Sequence, residues 1–307
     1  MSLRGVLTVL QLPYLDDLSI DAPTLRREVD WNFENGVHGV VLGMVSEVLR
    51  LSDAERDDLV GQVVRYTAGR GPVVASAGAE SAAQAVRHAR AAQAAGATAL
   101  MAMPPLLCRC GDDELLAYYG ALLEATPLPI IVQDASGYLG QPLPITMQAE
   151  LFRRAPGRVL FKPEPNPAGP AITALREATG GKAVVFEGQG GRDLIDTYRR
   201  GVSGTMPSAD LPWVFSALWG ALERGDEARA QEIHALLSAL SSIPDTLDAW
   251  LALEKLLLVR QGIFPNRRVR GPVGRALRPG AEEEIVRLFE RLREVCGRSL
   301  PTRPGKP

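Results

Sequence analysis

The sequence predicts an α/β protein built as a (β/α)8 barrel of the TIM type, followed by a three-helix C-terminal extension. Three observations predict it. Short, continuously apolar runs alternate with amphipathic stretches, the pattern of parallel strands joined by helical crossovers and covered on both faces. Eight such units fit within about 220 residues, more than a doubly wound sheet usually holds. Where a nucleotide-binding sheet often has a glycine-rich loop after its first strand, this chain has Leu12-Pro13-Tyr14-Leu15.

The first strand is expected over Gly5 to Leu12, and a helix over Ala22 to Asn35 returns the chain. Strands at Gly39 to Met44, Pro72 to Ala77 and Thr98 to Met103 follow, separated by helices at Ala54 to Ala68 and Ser81 to Ala95. A helix at Asp112 to Ala125 leads to a fifth strand at Pro129 to Asp134, and one at Thr146 to Arg154 to a sixth at Arg158 to Pro163. The last two strands, Ala183 to Gly188 and Ser203 to Pro207, flank a helix at Arg192 to Arg200; another, Ala171 to Ala178, precedes them. Glycines at 36, 69, 96 and 180 stand where helices should stop. Beyond the eighth strand, Pro212 to Gly225 completes the barrel. Ala228 to Ser242, Leu247 to Gln261 and Ala281 to Cys296 form the extension. We therefore divide the chain into a barrel (residues 1–226), a helical extension packed on it (227–300) and a disordered tail (301–307), with no polar linker before the extension.

Composition narrows the function. A formal net charge of −2 with arginines spread among acidic residues gives no basic footprint for nucleic acid. No apolar stretch is long enough to span a bilayer and no leader is evident at the N-terminus, so the expected location is the cytoplasm, without a membrane partner. Three cysteines, two of them in Cys108-Arg109-Cys110, suit neither a disulfide framework nor a zinc site and read as free thiols. His38, His88 and His234 have no partner at ligand spacing, so neither a metal nor a cofactor is expected. Trp213, Trp219 and Trp250 occupy apolar helical positions and read as core or subunit contacts. Gly188-Gln189-Gly190-Gly191 lacks the lysine and hydroxyl residue of a phosphate-binding P-loop and is expected to give a substrate room.

Lysine usage supplies the sharpest functional signal. Only Lys162, Lys182, Lys255 and Lys306 are lysines among 34 basic residues. Lys162 ends the apolar run Val159-Leu160-Phe161, at the strand end where such barrels carry their catalytic groups. Arginine stays protonated, whereas an amine can be made nucleophilic, so a lysine at this place points to imine chemistry with a carbonyl substrate. The bland alternative is a lysine reaching past the strand to water or to Glu164.

Taken together, Gly43-Met44-Val45-Ser46-Glu47, Ala102-Met103-Pro104-Pro105, Ile131-Val132-Gln133-Asp134, Phe161-Lys162-Pro163-Glu164 and Gly204-Thr205-Met206 resemble the dihydrodipicolinate synthase and N-acetylneuraminate lyase family in order and spacing. The resemblance covers roughly residues 5 to 295 and is strongest toward the 2-keto-3-deoxy-L-arabonate dehydratase branch, carried by Met101 to Pro105, Val132 to Ala135, Phe161 to Glu164 and Glu187-Gly188. It implies an imine on Lys162, a homo-oligomer (dimer or tetramer) and a small 2-keto acid as partner. The chain also departs from the synthases. Met44 and Val45 replace a threonine pair, Gln133 replaces a tyrosine, Leu106 or Leu107 replaces the tyrosine that crosses a subunit interface, and Tyr138 replaces a substrate-binding arginine. These losses count against dihydrodipicolinate synthesis itself.

An unperturbed lysine titrates near about 10.4, so this chemistry needs a dry barrel mouth that favours the neutral amine. The imine withdraws electrons from C3; removing a C3 proton gives an enamine that expels a 4-hydroxyl as water, and C3–C4 cleavage gives an enamine of the same kind. Elimination from a 2-keto-3-deoxy sugar acid is the leading expectation, ahead of aldol cleavage. A synthase-like pyruvate aldolase or condensing enzyme, and a non-catalytic keto-acid-binding barrel, are the alternatives. Val45 and Ser46 are candidate carboxylate donors, the latter also through its hydroxyl. Glu164 and Glu187 are candidate proton carriers, and Gln133, Tyr138, Gly188 and Thr205 candidate substrate contacts.

Overall fold

In the computed structural model, residues 3–137 and 139–298 are described; Tyr138 and the expected tail lie outside them. Eight parallel strands, β1 (Gly5–Val9), β2 (Gly39–Val41), β3 (Val73–Ser76), β4 (Ala99–Ala102), β5 (Ile130–Asp134), β6 (Val159–Pro163), β7 (Phe186–Glu187) and β8 (Gly204–Thr205), run in the order β6-β5-β4-β3-β2-β1-β8-β7. A parallel bridge between Phe161 and Val185, with the Phe161 amide donating to the Val184 carbonyl at 3.0 Å, joins β6 to β7 and closes the barrel.

The observed strands are shorter than the apolar runs that announce them. In β7 only Phe186 and Glu187 pair in the ladder, although the apolar run begins at Ala183. The flanking residues are buried because helices cover them, and burial rather than pairing makes a sequence apolar. The intervening helices are α1 (Ala22–Glu34), α2 (Asp53–Thr67), α3 (Ala82–Ala94), α4 (Asp112–Ala125), α5 (Ile145–Arg154), α6 (Gly169–Ala178) and α7 (Leu194–Arg199). Asp21 and Ser81 cap α1 and α3, and Ser52 and Glu55 form a capping box on α2. Gly36, Gly69, Gly96 and Gly180 all have positive φ, as chain reversals after helices require.

Two apolar layers set the site's position. Leu7, Val9, Val41, Val74, Met101, Ile131, Leu160, Phe186 and Met206 fill the barrel interior. Their sequence neighbours, among them Val6, Val40, Val73, Phe161 and Val185, face the helices. This two-residue alternation decides which side chains reach the mouth. After β8, α8 (Pro212–Glu223) closes the ring, and α9 (Glu227–Ser241), α10 (Leu247–Arg260) and α11 (Ala281–Val295) form the extension. No helix among the described residues is long and apolar enough to cross a membrane.

Candidate active site

Ile131 on β5 and Leu160 on β6 point into the barrel, so Gln133 and Lys162, two residues on, point the same way one layer higher. They are paired across the ladder, and both are buried. Glu164 continues this face just past β6. Its Oε1 lies 3.2 Å from Lys162 Nζ, and Gln133 Nε2 donates to its Oε2 at 2.7 Å. The Gln189 amide donates to Oε1 at 3.3 Å, and Gln189 Nε2 donates to the Glu164 carbonyl at 2.6 Å. The carboxylate next to the lysine is therefore held by protein donors on several sides.

A cleft of about 500 Å3, measured out to its open mouth, lies above this layer. Lys162, Glu164, Gln133 and Gln189 form its polar side; Met44, Met101, Met206, Leu247 and Trp250 form apolar walls. Gly43 and Val45 border it from the turn after β2.

The other sequence candidates divide. Val45 lines the cleft, but Ser46 does not: its hydroxyl donates to the Leu10 carbonyl at 2.5 Å and accepts from the Gly43 amide, and its own amide donates to the Gly43 carbonyl. Ser46 thus shapes the turn and has no donor left for a carboxylate. Gly188 serves the acid rather than the substrate, because a Cβ there would sit 2.3 Å from Glu164 Oε1. Gly137 is similarly committed, a Cβ there falling 2.2 Å from the Glu164 carbonyl oxygen.

Glu187 and Thr205 are close to each other but turned from the cleft. Phe186 and Met206 take the interior positions, so their neighbours Glu187 and Thr205 take the opposite face. There Thr205 Oγ1 donates to Glu187 Oε2 at 2.5 Å, and burial pushes the Glu187 carboxyl up to about 8. Gln133 lines the cleft and also holds Glu164. Tyr138 lies outside the described residues.

Among the cleft residues that sequence reasoning missed are three on α10. Leu247, Trp250 and Glu254 are spaced along one face of α10, and all three line the cleft with Ser208, which follows β8. Trp250, expected in the core or at a subunit contact, stands against Gly190, where a Cβ would meet its ring at 2.6 Å. The one available signal was a charged pair, Glu254-Lys255, inside the apolar run Leu251 to Val259.

A second buried lysine–glutamate pair anchors the turn after β2. Lys255 Nζ donates to Glu47 Oε1 at 2.6 Å and to the Arg268 carbonyl at 2.5 Å, and it lies 4.8 Å from the centre of the Tyr14 ring. Glu47 also accepts from the Arg270 amide at 3.1 Å. The C-terminal extension is thereby tied to the wall that carries Val45. Among the described residues no group of three or more histidine, cysteine or acidic side chains is arranged to hold a metal.

Residues 2–285 match the Dihydrodipicolinate synthetase family. The chain belongs to this family. It is thus an enzyme of a lyase and aldolase family. It is 27% identical over 299 residues to L-2-keto-3-deoxyarabonate dehydratase of Azospirillum brasilense, covering 94% of each chain. To the 4-hydroxy-tetrahydrodipicolinate synthase of Stenotrophomonas maltophilia it is 31% identical over 237 residues, 76% of each. The structure of 4-hydroxy-tetrahydrodipicolinate synthase from Methylacidiphilum fumariolicum SolV superposes with a TM-score of 0.87 at 22% identity, covering 96% of this chain and 98% of that one, a likeness of fold.

Proposed function

We propose that this family member forms an imine between Lys162 and a 2-keto acid and eliminates water from a 2-keto-3-deoxy sugar acid. The observation that carries the reading is the buried Lys162–Glu164 pair, 3.2 Å apart, at the floor of a cleft at the strand ends. Glu164 is placed to take the proton that the ammonium must lose before Nζ attacks the C2 carbonyl. Addition gives a carbinolamine, and Glu164 returns that proton to its departing hydroxyl, which leaves as water; the protonated imine and a free Glu164 carboxylate remain. Glu164 then stands over the same carbon chain as the base for a C3 proton, and the resulting enamine expels the 4-hydroxyl. Val45 borders the cleft where the substrate carboxylate would lie.

The relative from Azospirillum brasilense, named for this dehydration, supports the choice of substrate class. At β5, Gln133 holds Glu164 and, as a carboxamide, neither gives up nor takes a proton near neutral pH, which leaves the proton transfers to Glu164. Membership of this family is the ground for proposing a homo-oligomer, and light scattering would read that association.

The test is product analysis with a panel of 2-keto-3-deoxy pentonates and hexonates. The expected product is lighter than its substrate by one water. Pyruvate plus an aldehyde would identify aldol cleavage instead. Binding without turnover of any member would move the reading to a keto-acid-binding barrel.

A further inference from the structure

The wall contributed by α10 carries an acid that the steps above leave unused. Glu254 is fully buried yet lines the cleft, on the same helix face as Leu247 and Trp250. Its Oε2 accepts from Gln11 Nε2 at 3.0 Å, and its Oε1 accepts from Ser208 Oγ, which also borders the cleft. Neither contact is with a cation. The neighbouring Lys255 turns away to Glu47.

We propose that Glu254, acting through Ser208, supplies the proton taken up by the substrate's departing hydroxyl, so that the C-terminal extension completes chemistry begun on the barrel. This rests on the dehydration proposed above. The geometry gives a chain of two hydroxyl-type groups ending in the cleft. When Glu254 is protonated on Oε1 this bond reverses: the carboxyl donates to Ser208 Oγ, and the serine's own hydrogen is released to point at the substrate.

In the step, the C4–O bond breaks and its electron pair stays with oxygen. That oxygen takes the Ser208 hydrogen, Ser208 takes the Glu254 hydrogen, and water departs. Glu254 is left as a carboxylate and regains a proton from bulk water as product leaves, while Glu164 loses to water the proton it took from C3. No oxidant or reductant is involved.

The surroundings favour a stored proton. Burial pushes Glu254 up to about 8, and the nearby Asp210 acts in the same direction; the hydrogen bonds from Ser208 and Gln11, and then Lys255, oppose them without cancelling the rise. Asp210, in the loop after β8, is itself raised to about 7 by burial. Glu28 on α1, which accepts from the Gln11 amide at 3.0 Å, is raised well above the carboxylate range. The groups facing Glu254 are therefore these two acids, Lys255 and the neutral Gln11 and Ser208.

The experiment compares wild type, Glu254→Gln and Ser208→Ala in two assays: borohydride trapping of the Lys162 adduct, and dehydration across pH 6 to 9. Both variants should trap substrate at the wild-type rate, keep KM within about threefold and lose about 10²–10³-fold in kcat, within the range for removal of a general acid. Wild-type kcat should fall above about pH 8, and Glu254→Gln should lose that fall. The relay is overturned if Glu254→Gln dehydrates at the wild-type rate with the same alkaline fall. It is equally overturned if both variants lose trapping along with turnover, which would make these residues binding or structural. Should Glu254→Gln not fold, Ser208→Ala alone decides. Failure of wild type to trap any 2-keto acid would instead remove the dehydratase reading, and the relay with it.

Discussion

The protein buries two lysine–glutamate pairs, and their surroundings give them opposite uses. Lys162 and Glu164 meet at 3.2 Å beneath an open cleft, with Gln133 and Gln189 holding the carboxylate in place. Lys255 and Glu47 meet at 2.6 Å with no cleft between them, enclosed by the Arg268 carbonyl, the Arg270 amide and the Tyr14 ring. Burial depresses the Lys255 ammonium while Glu47 opposes that shift. Lysine scarcity alone points to both residues. On the proposed imine chemistry, access to a substrate, rather than burial or pairing, separates a reagent from an anchor.

That contrast can be broken most forcefully at Lys162. Lys162→Ala should abolish turnover by more than about 10⁴-fold, the scale for loss of a covalent nucleophile, while circular dichroism shows the barrel intact. Lys255→Met should do the reverse. Leaving Glu47 buried without its cation should cost about 3–5 kcal/mol in denaturant melts, with Lys162 still reactive toward a 2-keto acid. Glu164→Gln should lower kcat by about 10²–10⁴-fold, since an amide keeps the shape but carries no proton. Gly188→Ala probes the same acid from behind: its Cβ would displace Oε1, so kcat should fall about tenfold with a stability cost of about 1–3 kcal/mol.

The smallest effect concerns pH. Glu28, Glu187, Asp210 and Glu254 all have folded-state pKa values raised by burial. The folded chain holds protons that the unfolded chain releases near the ordinary carboxylate range of about 4. Stability from these groups is therefore fully present below that range and is lost as pH rises toward about 8. Melting temperature should fall from pH 5 to pH 9, and Glu254→Gln should flatten part of that slope.

Most of the fold was legible because a barrel strand buried on both faces writes an unbroken apolar run, and eight of them leave little choice of topology. Lys162 and Glu164 were legible for a related reason, since the two-residue period from Leu160 carries both inward. The same count from Phe186 turns Glu187 outward, but the continuous apolar run from Ala183 hides which of its residues face in. Ser46 was misread because a hydroxyl on a loop looks available until Leu10 and Gly43 are seen to use it. Glu254 and Ser208 were out of reach for a different cause: α10 meets the mouth only after the barrel has closed, and no local period encodes that contact.

The central claim is tested most directly by borohydride reduction in the presence of pyruvate and of 2-keto-3-deoxy sugar acids, followed by intact mass and peptide mapping. A single adduct on Lys162, with Lys255 unmodified, is the predicted result. An adduct on Lys255, or none on protein shown to be folded, would contradict it.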